Sequence, residues 1–316
     1  MPATMWRILH AVPITLFNEV NSRSKIYLPA NISNSFPMPN PLTYYDSSGL
    51  WSWTKLAEMW RFRELLYTFF ARDLTIRYRQ VVIGMAWVLL QPLLSMLIFI
   101  ALFGLLETRA TADGSRYASD AAVVFLGVWS WQFLASALRD GTGSLVNYRH
   151  VITKVYFPRL LLPIASILCA LFDFLIGGLV MIPILWVTGT SIPWTHVWMI
   201  PLVMTWLIIL CIACVAWLSS LNAIYRDVGY ALPFLLQIGM YLSPVVYDAS
   251  RIPARWMTFY QSNPMAAIIT WFRWSLLGGA APPLVPTFFA ISLTIMLLLS
   301  GLAWFEKSER LLADRI

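Results

Sequence analysis

Charge is scarce in this 316-residue sequence: Asp, Glu, Lys and Arg together supply 12% of it, against about a quarter in ordinary soluble domains. Cysteine and histidine are scarcer still, with three of each. Cys169, Cys211 and Cys214 all lie inside apolar runs. Cys211 and Cys214 form a C-x-x-C without a second ligand pair or a redox-fold pattern, so all three read as buried hydrophobes. His10, His150 and His196 are scattered and make no ligand set, and no metal site is expected. The sequence has no G-x-x-x-x-G-K-[ST], so it holds no ATP phosphates of its own. Nor does it carry an H-E-x-x-H or a recognisable nucleophile–base set. An enzyme is therefore not expected, and no cofactor is expected on this chain.

What is present is apolar. Hydrophobic residues make up 59% of the chain, the mean hydropathy is +0.69, and there are 16 Trp and 19 Pro. That much apolar surface cannot be hidden in one soluble core, so lipid must be the solvent for much of it. The net charge of +7 and pI of about 9.5 would suggest nucleic acid in a soluble protein. Here most basic residues flank apolar runs, which points to topology and anionic headgroups, with no nucleic-acid partner.

The stretch from Arg72 to Leu106 sets the class. Its first part, RDLTIRYRQ, is basic; the next part is uncharged for about 26 residues, roughly 39 Å as a helix, enough to cross a bilayer core with tilt. Arg72, Arg77 and Arg79 sit just before the apolar run, which places that side in the cytoplasm. Ahead of them, 55–79 reads as an amphipathic helix in the membrane interface, with Leu66, Phe70, Leu74 and Tyr78 as an apolar stripe. Asp73 and Arg77 are placed as an i,i+4 ion pair on its polar side. Residues 1–54 do not read as a signal peptide. Their Pro-, Asn- and Ser-rich part is expected to be poorly ordered, as a cytoplasmic extension.

Six spans are expected, at about 81–106, 121–144, 160–188, 198–221, 229–247 and 284–305, with a kink at Pro92. An even count returns both termini to the cytoplasm, and sixteen of the 22 lysines and arginines then fall on the inside. Two connections are not simple loops. Leu145 to Arg159 is basic, foldable as a short helix, and stopped at Phe157-Pro158. It reads either as a solvated loop or as a docking element for a cytoplasmic partner. Tyr247 to Pro283 is apolar and broken at Pro264 into two halves too short to span. It reads as two re-entrant half-helices, the alternative being one kinked spanning helix that would spoil the charge bias.

Asp173 is the acid read deep in a span, a functional residue by default or else an interhelical hydrogen-bond partner, protonated or not. Standing alone, it makes a poor proton relay. Aromatics in the spans, Trp87 and Tyr241 among them, pack, anchor at the interface or line a passage; flat rings suit sliding sugars.

Four stretches then carry a family resemblance: ARDLTIRYRQVVIGMAWVLLQPLLSMLIF (Ala71–Phe99), KVYFPRLLLPIASI (Lys154–Ile167), LNAIYRDVGYALPFLLQIGMYLSPVVY (Leu221–Tyr247) and SNPMAAIITWFRW (Ser262–Trp274). The chain resembles the membrane subunit of ABC-2 exporters, in the branch that exports O-antigen, capsule or teichoic acid polysaccharides. The resemblance covers about 55–310; residues 1–54 are longer than it accounts for. It implies an all-α membrane protein of six transmembrane helices, with an N-terminal interface helix and two short re-entrant helices before the last span. It also implies a homodimer paired with two cytoplasmic ABC ATPase subunits, ATP and Mg being held in that partner. A coupling helix would lie within 145–158, with Arg149, His150, Lys154 and Tyr156 at the ATPase contact. Gate helices would lie within 255–277, and Trp87, Tyr241, Trp256, Tyr260, Asn263 and Pro264 are the candidate channel and gate residues. Arg72, Arg77 and Arg79 would either anchor headgroups or attract the diphosphate of a lipid-linked polysaccharide at the cytoplasmic entrance. The expected function is permease for such a glycan in the bacterial inner (plasma) membrane, among membrane lipids. The alternatives are an ABC-2 permease for another amphiphile or drug, a membrane-bound glycan enzyme, and a secondary transporter.

Overall fold

The structure is a computed structural model, and it describes residues 58–79, 86–107, 114–154, 156–188, 193–245 and 254–315. The expected extension over 1–54 and the start of the first expected span, 81–85, lie outside these residues. The described residues hold helices and no strand. In chain order they are α1 (Arg63–Arg79), α2 (Ala86–Glu107), α3 (Gly114–Asn147), α4 (Arg149–Ile152), α5 (Leu161–Gly178), α6 (Met181–Thr188), α7 (Ile200–Ile224), α8 (Asp227–Leu242), α9 (Ala254–Gln261), α10 (Pro264–Leu277) and α11 (Leu284–Arg315). A 3-10 turn, Val197–Met199, leads into α7.

Four stretches are long and apolar enough to cross a membrane: Ala122–Asn147, Leu161–Trp186, Val197–Ile224 and Leu284–Glu309. The other two expected spans are helical but shorter in apolar length. Ala86–Phe99 is an apolar stretch of α2, and α8 has 16 residues, about 24 Å. α2 runs through Pro92 as one helix. The third expected span is two helices. α5 stops after Gly177-Gly178, a turn follows at Leu179–Val180, and α6 carries Pro183. Proline cannot donate to the carbonyl four residues back, and its ring clashes there. The chain tightens accordingly, with Leu179 and Val180 bonding back three residues to Ile176 and Gly177.

α3 is the central element, packed by α2, α5, α6, α7, α8 and α10. It is the least apolar of the four spanning stretches and the most buried, 72% against 28–39% for the others. The inversion follows from the solvent: helices that face lipid must be apolar all round, whereas one surrounded by helices can carry small and hydroxylated residues that let backbones approach. Gly141, Gly143, Ser130, Ser136 and Ser144 are of this kind. The serines at 130, 136 and 144 donate to carbonyls of the preceding turn, so their hydroxyls are not orphaned. α7 and α11 use the same device. A Cβ at Gly301 would lie 2.8 Å from the Ala213 carbonyl oxygen, so glycine there sets how closely the two helices pack.

A second, smaller apolar cluster closes one end of the bundle. Phe69 of α1 packs with Tyr148, Phe157, Leu160, Leu161, Ala216 and Phe305. Its ring meets Tyr148 edge-on at 5.3 Å and Phe157 at 5.5 Å. The packed face of α1 therefore runs through buried Phe69 and half-buried Leu66, Phe70, Asp73 and Arg77, while Tyr67 and Ile76 are exposed. This corrects the sequence expectation: Asp73 and Arg77 occupy the packed face, not the solvent face. Arg159 ties the same end to α11, donating to the Glu309 carbonyl at 3.1 Å.

Candidate functional site

The charged end is built where α1 crosses α3 and α5. Arg77 donates from two guanidinium nitrogens to two carboxylates on different helices, Asp140 of α3 and Asp173 of α5. Tyr78 donates to the other oxygen of Asp173. One turn earlier on α1, Asp73 accepts from the hydroxyl of Tyr148, and Arg72 lies 4.8 Å over the Tyr148 ring. The expected Asp73–Arg77 pair is thus replaced by contacts to other segments, Arg77 to α3 and α5 and Asp73 to Tyr148 between α3 and α4. Asp173 does not stand alone: its neighbours include a cation and a second acid, Asp140. That second acid lies inside the expected second span, near its end.

The electrostatics follow from this crowding. Burial works against the Arg77 charge, but Asp140 and Asp173 outweigh it and hold its pKa above the ordinary arginine value. Burial also pushes the Tyr148 phenol up, aided by its bond to the Asp73 carboxylate, so it stays a donor across the neutral range. Tyr78 is raised by burial and then by Asp173.

Beyond Tyr148 the helical part of the connection is short. Among the described residues of the expected 145–158 element, Leu145–Asn147 are the end of α3 and Arg149–Ile152 form the short helix α4. The β-branched run Val151-Ile152-Thr153 and the Phe157-Pro158 stop leave little room for a longer helix. Val151 and Ile152 pack against the smaller cluster and Phe157 is buried in it. Arg149, His150, Lys154 and Tyr156 all point outward, with Tyr156 70% exposed. The four residues expected at a partner contact are therefore each exposed, and the apolar residues between them anchor the turn.

The remaining candidates lie on α2, α8, α9 and the start of α10. Trp87 on α2 is 46% exposed and Tyr241 on α8 is 59% exposed. Trp256 and Tyr260 lie on α9, with Tyr260 half-buried. Asn263 caps α10, its side-chain oxygen accepting from the Met265 amide at 3.0 Å. Its amide nitrogen donates to Ser243 Oγ at 3.3 Å, joining the start of α10 to the end of α8. Pro264 is buried at the first position of α10, where its missing N–H is harmless.

Residues 64–277 match the ABC-2 type transporter family. The chain belongs to that family. The match begins in α1 and ends with α10, so it spans the Arg77 cluster, the Arg149 turn and the α9–α10 pair. The chain is 25% identical over 265 residues to the O-antigen export system permease protein RfbA of Myxococcus xanthus, covering 82% of this chain and 98% of that protein. It is 26% identical over 216 residues to an RfbA protein of the same description from Klebsiella pneumoniae, covering 68% of this chain and 81% of that one. It is 23% identical over 248 residues to the polysialic acid transport protein KpsM of Escherichia coli, covering 76% and 92%.

This ABC-2 chain is a multi-pass membrane protein and a transport component. Its polar residues are placed for holding helices together and presenting a surface. Sequence reasoning missed Asp140, Tyr148 and Arg273. The available signal for Asp140 and Arg273 was a charge inside an apolar stretch; for Tyr148 there was none, because its partner Asp73 lies 75 residues away.

Proposed function

We propose that two copies of this chain form the membrane passage of an ATP-driven exporter, paired with two cytoplasmic ABC ATPase subunits. The cargo is a lipid-linked polysaccharide of the O-antigen kind, moved from the cytoplasm across the bacterial inner membrane. The observation that carries this is the likeness over most of the chain to permeases named for O-antigen export, in a chain that belongs to the ABC-2 family.

Six crossings are formed by α2, α3, α5 with α6, α7, α8 and α11. Support for α8 as a crossing comes from its neighbours along α3. Near its start, Gly229 donates to Asn222, which itself donates to the Thr142 carbonyl; Gly239 meets Trp131; Val245 lies against Gly127. α9 and α10 form the re-entrant pair between the end of α8 and the start of α11. The Asn263–Ser243 bond and the Trp271 Nε1 donation to Thr287 Oγ1 (3.0 Å) support this. The packing of Phe305 beside Phe69 supports an even number of crossings, with both termini cytoplasmic.

Arg149, His150, Lys154 and Tyr156 contact the ATPase, which binds the ATP and Mg. Arg72, exposed in the second half of α1, and Arg79, exposed at its end, meet the lipid diphosphate; Arg77, committed to two carboxylates, contributes field more than contact. The ATPase drives transport only through its differential affinity for two arrangements of this chain. Reversing a hundredfold bias needs a preference of about 5.5 kcal/mol.

The test is affinity purification of the tagged chain from native membranes in mild detergent, followed by mass spectrometry. A nucleotide-binding subunit with a phosphate-binding loop, in near one-to-one ratio, is expected. Arg149→Glu with Lys154→Glu should release it while leaving the thermal stability of the permease unchanged. A wild-type chain that brings down no such subunit overturns the reading. A purified complex that moves a drug but no glycan favours the other ABC-2 substrate class.

A further inference from the structure

α10 carries one charged residue, Arg273, in an otherwise uncharged sequence, PMAAIITWFRWSLL. Its guanidinium crosses two neighbours. Nε donates to the Val123 carbonyl of α3 at 3.2 Å, and a terminal nitrogen donates to the Val245 carbonyl beyond α8 at 3.0 Å. A guanidinium cannot shed its charge by deprotonation, so at membrane depth it needs acceptors held in place. A helical carbonyl has a second lone pair, and Val123 can accept from Arg273 without losing its own helix bond.

The site is shaped for this contact. One turn beyond Val123 stands Gly127, where a Cβ would lie 1.9 Å from the Val245 carbonyl oxygen and 2.9 Å from the Arg273 terminal nitrogen. The Val245 carbonyl therefore rests on bare α3 backbone, and only glycine leaves room for it. Val245 is fully buried and Ser243 nearly so. α10 is held to this segment twice, by Asn263 on Ser243 at its start and by Arg273 on Val245 nearly three turns later. Val123 lies 17 positions before Asp140 on α3, roughly 25 Å along the helix, so this seam is at the far end from the Arg77 cluster.

We propose that Arg273 is a positioning residue that latches α10 to Val123 of α3 and to the segment just after α8, with Gly127 as its seat, and so keeps the far end of the passage shut between transport events. The proposal rests on the exporter reading above. Export then requires the seam among Val123, Val245 and Arg273 to part.

The test uses the complete permease–ATPase complex in proteoliposomes, without nucleotide, with efflux of a small fluorescent anion as the probe. Arg273→Gln should raise efflux about tenfold or more over wild type, with the ATPase still bound. Arg273→Lys, which can serve one carbonyl at a time, should fall between. An assembled Arg273→Gln complex that stays as tight as wild type overturns the latch, whether or not export is lost. A second measurement stands if that variant does not assemble. A Ser243→Cys, Asn263→Cys pair bridges the same seam: oxidation should stop export and reductant restore it, and full export through the cross-linked form overturns the proposal. Failure of the wild-type chain to bind any ATPase would count against the exporter reading instead, so the two are separable.

Discussion

Arg77 is worth most to this molecule through what it prevents. Without it, Asp140 and Asp173 face each other across a helix crossing with no cation between them. Hydrogen bonds to charged groups contribute about 1.5–3 kcal/mol each, and all three side chains are only partly exposed. Arg77→Met should therefore destabilise the detergent-solubilised protein by about 2 kcal/mol, more than Asp140→Asn or Asp173→Asn alone. Neutralising both acids in the Arg77→Met background should recover part of the loss, as read by thermal melting. No recovery would mean that packing, not charge, is what Arg77 supplies.

Tyr148 makes a prediction in pH. Its folded pKa lies above the unfolded value of 10.0, so its contribution is fully present below about pH 10 and is lost as pH rises through the folded value. Melting should be flat through neutrality and fall in strong alkali, with the fall reduced in Tyr148→Phe. Asp173 and Arg77 were both visible in the sequence as unusual residues. Their pairing was not, because 96 positions separate them, and the i,i+4 rule offered Arg77 a nearer partner in Asp73.

At the scale of elements, hydrophobic periodicity found the helices and misjudged their ends. Apolar runs mark where a helix is buried in lipid or protein, but helices continue past the run while their backbone bonds remain available. α3 and α11 each extend beyond their expected limits for this reason, α3 to 34 residues and α11 to 32. The short helix expected within 145–158 is the four-residue α4, whose neighbouring apolar residues anchor the turn. The α9 and α10 bounds were legible because Pro264 and the Asn263 cap are written in the sequence. The close contact of α7 and α11 was not legible, as a glycine in an apolar run has many uses. Gly301→Ala should force the helices apart or shift the Trp217 ring beside it, lowering stability by about 1–3 kcal/mol. Melting in detergent measures this, and an unchanged midpoint would show that the pair repacks freely.

For the whole molecule, the charge bias made the stronger prediction than the hydropathy. It places the Arg149 turn and the Arg77 cluster on one side of the membrane and the loop before α7 on the other. Single cysteines replacing Trp194 and Lys154, both exposed, should then label oppositely. Trp194→Cys should react with an impermeant maleimide in intact spheroplasts, and Lys154→Cys only after permeabilisation. Equal labelling from outside would overturn the orientation. The family was legible from four stretches because they contain Pro, Gly, Trp and Arg at fixed spacing, residues that mark backbone breaks and charge at membrane depth. The neighbours of each helix were not, since lipid-facing and helix-facing positions draw on the same apolar alphabet.

The low apolarity of α3 also bears on how the chain is made. A helix enters the bilayer from the insertion machinery according to its own transfer free energy, and α3 carries Arg139 and Asp140 together with several glycines and serines. Of the four spanning stretches it gains least from lipid alone, yet α5 and α7, which enclose it, are synthesised after it. Its residence in the membrane is thus completed by later segments. Ribosomes halted before α5 emerges should leave α3 extractable by alkaline carbonate, and those halted after α7 should not.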